Sequence, residues 1–425
     1  MGRDNQNWAI GCLFLEKVRD GFDQAEANLI TRAYAFAKKR LEGHCQPPLR
    51  VAELLLGQKA DAVTLAAALL APTMWHTETS LQEISDTFGK DVASILEEFG
   101  APVALRTDTE PHRRKDIHTL LASLKGNTRK VVLRLAFRLI ELEHALEPSE
   151  TVAIIARETL DIYVPLADRL GLGGLRKQLE ETSFRILFPD TYRDLKKQVA
   201  LIQTEDDRCL RILMDVVKRL LEKNGFGGEV QGRTKSLYGI YSKMSRSGAS
   251  LHEIMDRIGI RIIVSSVPEC YSILGLVHTH FSPIPGTFDD YIGLPKENGY
   301  QSLHTCVYPV RDISHKPIEF QIRTELMHME AEYGVAAHWR YKSAEAAAAH
   351  NHRHSRWIES LVDQHRHALD SDAFMDLLYR QVYQDHLVIF GNGGQIVRLP
   401  ENATVRHFVE RVNPKFLQKS NQKIT

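Results

Sequence analysis

The sequence has few cysteines, no long apolar run and no excess charge of either sign, and each absence excludes a class of protein. Its five cysteines are odd in number and form no Cys-x-x-Cys motif, so we expect free thiols in a reducing cytoplasm, without a disulfide framework or a zinc site. No run of about 18 apolar residues is present, which excludes a transmembrane helix. The 54 basic and 54 acidic side chains balance to zero net charge, which argues against coating nucleic acid or an anionic membrane by bulk charge.

The pattern of apolar residues changes near Gly228. Before it, apolar residues recur at three- and four-residue spacing, as in VVLRLAFRLIELEHAL, which predicts helices. After it, RIGIRIIVSS, SLHTCVYPV and KPIEFQIRT are β-branched or alternating and predict strands, with a helix, ECYSILGLVHTHF, between the first two. The apolar share of 43% and the charged share of 25% are ordinary for a globular protein that forms several cores. We therefore expect a helical region followed by a mixed α/β domain.

Strict alternation in the segment 318–323 places Glu319, Gln321 and Arg323 on one face of a strand and the isoleucines and Phe320 on the other. Two interpretations are open. The polar face is either the solvated side of a half-buried sheet or the polar floor of an active site.

Asp256 opens another predicted apolar strand, and Arg261 lies within it. Asp256 stands at the start of this strand and is either a turn or cap residue or, together with a second carboxylate such as Glu319, a ligand for Mg²⁺. Arg261 lies among isoleucines, where a guanidinium group needs a partner or a ligand.

Basic residues precede that strand in the segment GRTKSLYGIYSKM. Lys235, Gly239 and Lys243 are spaced i, i+4 and i+8, which predicts one stripe of a helix, and Arg233 lies just before them. The stripe is either a solvated helix face or, where the strand meets the helix, a site for a triphosphate.

A long loop, GTFDDYIGLPKENGYQSLH, is predicted from its Gly, Pro and Asn content. It is either an ordered surface loop or a ligand-contacting loop, because a tyrosine ring can stack on a nucleobase while amide and imidazole groups bind its edge or its sugar. Its candidate ligand-contacting residues are Tyr291, Lys296, Asn298, Tyr300 and His304.

Five segments in the order GRTKSLYGIYSKM, DRIGIRIIV, FDDYIGLPKENGYQSLHT, IEFQIRTELMH and YGVAAHWRYK resemble the synthetase domain of the RelA/SpoT family, whose long members make and break guanosine tetra- and pentaphosphate, (p)ppGpp. The resemblance runs over nearly the whole chain. It implies a nucleotidyltransferase-like fold and a GTP diphosphokinase of the stringent response, which moves the β,γ-diphosphate of ATP to the ribose 3′-hydroxyl of GDP or GTP. The competing hypothesis is a guanine-nucleotide-binding regulator that no longer catalyses.

The resemblance also implies a role for each candidate residue. Asp256 and Glu319 are the expected catalytic residues and the expected ligands of Mg²⁺. The expected ATP-binding residues are Arg233, Lys235, Lys243 and Arg261. The expected GDP- or GTP-binding residues are Lys296, Asn298, Tyr300, which stacks on guanine, His304 and Gln321.

Two positions depart from the family pattern. Gly239 stands where a serine is common, which removes a hydrogen bond that such a serine could make to phosphate. The charge-switch motif reads Thr287-Phe288-Asp289-Asp290, the acidic version with a neutral first position. We expect from it a synthetase-only protein with a strong dependence on Mg²⁺.

The helical half resembles an HD-type hydrolase that has lost its Mn²⁺ ligands. A hard cation needs oxygen or imidazole ligands, which alanine, proline and phenylalanine cannot supply, so we expect no Mn²⁺ and a helical scaffold without hydrolase activity. The positions aligned with the family's metal-site residues are Pro47, Ala71-Pro72, Trp75-His76, Phe137 and Glu141.

The expected fold class is a multidomain α+β protein. We predict a helical HD-type domain over residues 1–195, the synthetase domain over 196–342, a helical linker over 343–383 and an incomplete β-grasp module, resembling the family's TGS domain, over 384–425. The expected substrates are ATP and GDP or GTP. The family also implies the ribosome and uncharged tRNA as partners, sensed through further domains that this sequence does not contain, so we expect ribosome control to be affected.

Overall fold

The computed structural model describes residues 2–41, 46–97, 99, 127–145, 149–254, 256–296, 298–308, 317–340, 386–390, 396–400 and 404. The chain divides into two compact units, residues 1–363 and 364–425. The predicted helical linker over residues 343–383 lies outside the described residues. Within the described ranges, no helix has the length and apolar character needed to cross a bilayer.

In its described residues before strand β1 (Glu229–Thr234), the first unit contains helices only, as the apolar spacing predicts. A π-helical turn, Thr159–Tyr163, joins α8 to α9. The helices are α1 Gly2–Gly21, α2 Gln24–Arg40, α3 Gln46–Gly57, α4 Ala62–His76, α5 Leu81–Phe88, α6 Lys90–Leu96, α7 Thr128–His144, α8 Glu150–Glu158, α9 Val164–Arg169, α10 Gly173–Leu187 and α11 Pro189–Lys223.

Helix α4 occupies the centre of this helical region. Its side chains from Ala62 to Thr73 are nearly all buried, which is the pattern of a helix packed on every side. Asp61 caps its first turn, because the Asp61 side chain accepts a hydrogen bond from the backbone N–H of Thr64 and so satisfies one of the free donors at the helix start.

Helix α11 connects the helical region to the α/β part of the unit. It runs without a break through residue 195, where we predict the first domain boundary, and the domain limits remain predictions. Its C-terminal half buries Leu213, Val217 and Leu221 against the sheet. The helix stops before Gly225, whose φ of 74° is one that glycine adopts readily.

Six strands form one mixed sheet in the order β1-β2-β6-β5-β3, with β4 paired to β5. Strands β2 and β6 are parallel, and the other neighbours are antiparallel. The strands are β1 Glu229–Thr234, β2 Ile258–Val264, β3 Ser282–Pro283, β4 Asp289–Asp290, β5 Leu303–Tyr308 and β6 Ile318–Thr324, with helices α12 Leu237–Ser247, α13 Val267–His280, α14 Glu325–Tyr333 and α15 Val335–Arg340. The predicted mixed α/β domain is confirmed.

The two faces of the sheet differ in chemistry. One face carries residues such as Ile260, Ile262 and Phe320, which pack with α11 and with Ile273 and Val277 of α13 into one core. The alternation predicted in the segment 318–323 is confirmed, because the other face of β6 presents its polar side chains. We call this second face the polar face; it holds the candidate site.

The second unit is described only as an antiparallel hairpin of β7 His386–Phe390 and β8 Ile396–Pro400. The rest of the predicted β-grasp module lies outside the described residues.

Candidate functional site

Strand register assembles the centre of the polar face. Glu319 on β6 stands opposite Gly259 of β2 and Cys306 of β5, and Gln321 stands opposite Arg261 and His304. Residues opposite one another on neighbouring strands point to the same face. A Cβ atom at Gly259 would lie 2.9 Å from the backbone oxygen of Glu319, so only glycine permits this close approach of the two strands.

Glu319 is the most heavily contacted carboxylate of this face. Its Oε1 lies 3.2 Å from Nδ1 of His304, and its Oε2 accepts a hydrogen bond of 2.9 Å from Gln321 and lies 3.6 Å from Arg233. Burial disfavours the charged form, but the contacts with His304 and Arg233 outweigh burial, and the pKa of Glu319 is lowered. Glu319 is therefore ionised at neutral pH, as a general base or a metal ligand must be.

His304 connects Glu319 to the predicted guanine-stacking residue. Its Nε2 lies 2.7 Å from the Tyr300 hydroxyl, and the two rings are nearly perpendicular at 85° with centroids 5.6 Å apart. A chain of three polar groups, Tyr300, His304 and Glu319, therefore runs across this face.

Asp256 joins the two candidate phosphate-binding lysines. Its carboxylate lies 2.6 Å from Nζ of Lys235 and 2.8 Å from Nζ of Lys243. Burial raises the pKa of Asp256, but the hydrogen bonds of the two lysines outweigh that effect and lower it. Asp256 itself precedes β2 by two residues and does not open the strand as predicted.

The helical stripe predicted for the basic segment is wrong in one respect. Helix α12 begins at Leu237 and is capped by Ser236, so Lys235 lies before the helix and only Gly239 and Lys243 lie on it. The two lysines still converge, because both reach the same carboxylate. Gly239 makes room for this arrangement: a Cβ atom there would lie 3.1 Å from Cγ of Lys235.

The predicted loop between α13 and β5 is ordered by its own polar contacts and contains the short strand β4. The Asn298 side chain accepts a hydrogen bond from the Tyr300 N–H and donates one of 3.2 Å to the backbone oxygen of Asp168 in α9. The Lys296 ammonium lies 4.5 Å from the Tyr291 ring centroid and 5.7 Å from that of Tyr300. The loop is thus tied to the helical region and presents a cation above two aromatic rings.

The charge-switch segment has structural contacts of its own. The Thr287 hydroxyl donates to the backbone oxygen of Ile284 and accepts from the Cys306 N–H. The Asp290 carboxylate accepts hydrogen bonds from the Tyr271 hydroxyl and from two backbone N–H groups in the turn that follows. Thr287 therefore fixes the loop to β5, a role that does not require a charged side chain.

A second ionic cluster lies beside the site, and its central residue was not predicted from the sequence. Glu332 of α14 lies 3.2 Å from both Arg261 and Arg323, and Arg323 also contacts Nδ1 of His328 at 2.7 Å. Burial, followed by the charge of Arg323, lowers the pKa of Arg261 to about 10. Burial and the two arginines lower the pKa of His328 to about 4.

The burial of this cluster argues against the interpretation of the polar face as the solvated side of a half-buried sheet. Gln321 is 3% and Arg323 is 1% exposed, so this end of the face is covered by protein and is not a solvated surface. Arg261 has found the carboxylate partner that its apolar surroundings demand.

Another buried ion pair supports the segment around Asp256. Arg257 makes two hydrogen bonds, of 2.6 Å and 2.7 Å, to the Asp206 carboxylate of α11, and both side chains are more than nine-tenths buried. The pair fixes the start of β2 to the connecting helix. Sequence reasoning missed it, because no local pattern links residues 51 positions apart.

Two cavities border the site. The smaller, of about 100 Å³, is enclosed by Arg233, Arg261, Tyr300 and Gln321 on the α/β side and by α10 on the helical side. It brings expected ATP-binding and expected guanine-nucleotide-binding residues together. The larger, of about 700 Å³, lies between α10, α11 and the junction of β1 with α12.

Asp256 and Glu319 suit a magnesium ion. The charge of Asp256 raises the pKa of Glu319, so the two carboxylates interact electrostatically at this face. Mg²⁺ is bound by one or two carboxylates with substrate phosphates completing its coordination. The residues present therefore fit the expected ion.

At the positions that we expect to align with the hydrolase metal site, the helical region has an aromatic cluster. The Trp75 ring lies 5.1 Å from that of Phe137 and 6.0 Å from that of Phe99, and Ala71 and Pro72 are buried beside it in α4. Glu141 pairs with the buried Arg138 at 3.4 Å. Across the described residues, no group of three or more His, Cys, Asp or Glu side chains is arranged to hold a metal.

Comparison with known proteins matches both halves of the chain. Residues 232–346 match the family described as the region found in RelA / SpoT proteins, and residues 27–173 match the HD domain family. The helical region and the mixed sheet fit these two assignments.

Curated relatives match most of the chain. The Escherichia coli K12 protein named bifunctional (p)ppGpp synthase/hydrolase SpoT is 34% identical over 90% of this chain and 56% of its own. The Myxococcus xanthus GTP pyrophosphokinase is 32% identical over 91% of this chain and 53% of its own. The Aquifex aeolicus guanosine-3′,5′-bis(diphosphate) 3′-pyrophosphohydrolase is 34% identical over 92% of this chain and 56% of its own. The chain thus spans little more than half the length of these relatives.

Among solved structures, the small alarmone synthetase 1 of Bacillus subtilis is 24% identical, with a TM-score of 0.30, over 40% of this chain and 96% of that one. The relatives over most of the chain and the two family matches agree with one another. Over most of its length, the protein is similar to proteins of the RelA/SpoT family.

Proposed function

We propose that this chain is a (p)ppGpp synthetase that transfers the β,γ-diphosphate of ATP to the 3′-hydroxyl of GDP or GTP. The observation that carries the proposal is the polar face itself. An ionised Glu319 and an ionised Asp256 lie there among converging cations, beside the aromatic loop that contains Tyr300. Phosphoryl-type transfer depends mainly on positioning and on neutralising charge, and these are the groups that such a reaction needs.

Glu319 is the proposed base. Its low pKa keeps the carboxylate ionised, and it would orient the 3′-hydroxyl and accept its proton. The 3′-oxygen then forms a bond to the β-phosphorus of ATP, the bond from that phosphorus to the bridging α,β-oxygen breaks, and AMP leaves. His304 and Gln321 hold the carboxylate in position from two sides.

The cations bind the ATP. Lys235 and Lys243 share one carboxylate, Asp256, and can exchange it for phosphate oxygens. Arg233 and Arg261, on neighbouring strands, border the small cavity, where their guanidinium planes can stack on adenine. Magnesium, held by Asp256 and Glu319, would neutralise charge on the polyphosphate.

The acceptor nucleotide would bind beside the loop. Tyr300 offers a ring for stacking on guanine, and Asn298 and Lys296 lie next to it with polar groups for the base or the phosphates. Tyr300 and Asn298 border the same small cavity as Arg233 and Arg261. The two nucleotides would therefore meet over Glu319.

We further propose that the helical half is not a working hydrolase, although some relatives bear that name. Trp75 and Phe137, at two of the positions expected to align with a metal site, pack on each other and on Phe99. Aromatic and aliphatic side chains supply no ligand to Mn²⁺.

The proposal is tested by incubating the pure chain with Mg²⁺, ATP and either GDP or GTP, and separating the nucleotides by ion-exchange chromatography. We expect tetra- or pentaphosphate to form in equal amount with AMP. A folded chain that binds both nucleotides and forms neither product would instead be a non-catalytic regulator.

A further inference from the structure

The helical half contributes a cation to the smaller cavity at the polar face. Lys177 and Arg176 of α10 border it together with Arg233 and Arg261 from β1 and β2. The residues expected to bind nucleotide all belong to the α/β part, so Lys177 is a basic residue at this cavity to which neither the sequence nor the proposed function gives a role.

A close backbone contact fixes the position of α10. A Cβ atom at Gly173, the first residue of the helix, would lie 2.5 Å from the backbone oxygen of Ala331 in α14, so the helix end lies directly against that backbone. The Val335 N–H also donates to the backbone oxygen of Leu170 at 3.1 Å. Lys177 stands one turn beyond Gly173, which places it beside the polar face.

The three arginines that border this cavity each pair with a carboxylate, whereas Lys177 has no such partner among the described residues. Arg176 has Asp168 at 3.4 Å, Arg233 has Glu319 at 3.6 Å and Arg261 has Glu332 at 3.2 Å. Lys177 makes no hydrogen bond or ion pair with any described residue, although it is half-buried.

The surroundings of Lys177 favour an anion. Burial lowers the pKa of Lys177, the charges of Arg233 and Arg261 add to that effect, and Glu332 opposes it. Glu332 already contacts Arg261 and Arg323. A half-buried ammonium group beside other cations is costly without a counter-charge, and a polyanion in the cavity would supply one.

We propose that Lys177 binds a phosphate group of a nucleotide held at the polar face, so that the helical half forms one wall of the nucleotide site. The inference rests on the proposed function. The cavity of about 100 Å³ is smaller than an ordinary ligand pocket of about 300–1,000 Å³, so it accepts one part of a nucleotide. The phosphate can belong to ATP or to the guanine nucleotide, and binding measurements separate these two sources.

The test measures dissociation constants of the full chain by calorimetry. One probe is an ATP analogue with a methylene bridge between the α and β phosphates, which cannot release AMP, and the other is GTP without ATP. The variants are Lys177→Met, Lys177→Arg and, as a matched control, Lys196→Met. Lys196 is an exposed lysine of α11 that borders only the larger cavity, whereas Lys177 borders both cavities. A thermal melt checks that each variant is folded.

We expect Lys177→Met to weaken one of the two probes by about 10- to 100-fold, the loss of one hydrogen bond to a charged group. The affected probe identifies the nucleotide. Lys177→Arg, which keeps the charge, and Lys196→Met should bind both probes as the unmodified chain does.

Three outcomes would overturn the inference. Unchanged binding of both probes by Lys177→Met refutes it while leaving the proposed function intact. Equal weakening by Lys177→Met and Lys196→Met would place the phosphate in the larger cavity. Failure of the unmodified chain to bind either probe would overturn both the inference and the proposed function.

Discussion

The Glu319 carboxylate and the His304 imidazole contact each other at 3.2 Å from neighbouring strands of the sheet. They are not directly opposite in register, since Cys306 faces Glu319 and Gln321 faces His304, so the contact runs diagonally across the polar face. The diagonal contact leaves the second imidazole nitrogen for Tyr300. The proposed base and the proposed guanine-stacking residue are thereby connected through one ring.

This connection predicts a change in pH dependence when His304 is replaced. The pKa of Glu319 is lowered because His304 and Arg233 together outweigh its burial. In His304→Ala, Glu319 remains buried but loses its contact with His304, which lowers the pKa of Glu319 in the unmodified chain. The pKa of Glu319 therefore rises in this variant. We expect the acidic limb of the synthetase pH–rate profile to move to higher pH, measured under saturating nucleotide. An acidic limb at its original position would show that His304 does not set the ionisation of Glu319.

The buried pair of Arg257 and Asp206 predicts a large effect on stability. Removing one partner of a buried ion pair leaves the other charge uncompensated, which costs about 3–5 kcal/mol. We therefore expect Asp206→Ala to lower the free energy of unfolding by that amount in urea denaturation. The double variant Asp206→Leu with Arg257→Met should lose less than Asp206→Ala alone. A loss confined to a few tenths of a kcal/mol would mean that the pair does not hold α11 to the sheet.

The lowered pKa of His328 predicts a pH-dependent stability. Its pKa falls from 6.5 to about 4 in the folded chain, so below pH 6.5 the unfolded chain takes up a proton that the folded chain does not. The contribution of His328 to stability is present above pH 6.5 and declines as the pH falls towards 4. Unfolding free energies measured across this range should decline less steeply in His328→Gln than in the unmodified chain. His280→Gln, at an exposed histidine of α13, is the control and should leave the slope unchanged.

The aromatic cluster of the helical half predicts the absence of hydrolysis. We expect the chain incubated with ppGpp and Mn²⁺ to release no GDP and pyrophosphate, because Ala71, Pro72 and Phe137 offer the metal no ligand. A bifunctional relative treated in parallel provides the positive control. Release of GDP at a rate comparable to that control, or stoichiometric Mn²⁺ uptake in calorimetry, would contradict the proposal.

The sequence predicts those features of the site that depend on local periodicity. Alternation alone placed Glu319, Gln321 and Arg323 on one face, and the structure confirms that arrangement. The surroundings of Arg261 likewise predicted that it needs a partner. In each case the spacing of neighbouring side chains, which is fixed by the geometry of a strand, carries the information.

Pairings between distant segments could not be predicted in this way. Nothing near Arg261 indicates that its partner is Glu332, and nothing near Asp206 points to Arg257, because the meeting of such residues depends on how helices pack on the sheet. The start of α12 was misplaced for a different reason. Ser236 caps the helix, and a Ser before an apolar run signals a helix start, whereas the spacing of the basic residues predicts a continuous helix from Lys235.

The role of Glu319 in diphosphate transfer can be measured by comparing the unmodified chain with Glu319→Gln in a single-turnover reaction with Mg²⁺, GDP and ATP labelled in its β-phosphate. Glutamine keeps the shape of the side chain and removes the charge that accepts the proton. We predict that the label appears in the 3′-diphosphate of ppGpp, with an equal amount of AMP, and that Glu319→Gln binds both nucleotides but transfers almost none. Transfer by Glu319→Gln at the rate of the unmodified chain would contradict the role of Glu319, and absence of labelled ppGpp from the unmodified chain would contradict the proposed synthetase.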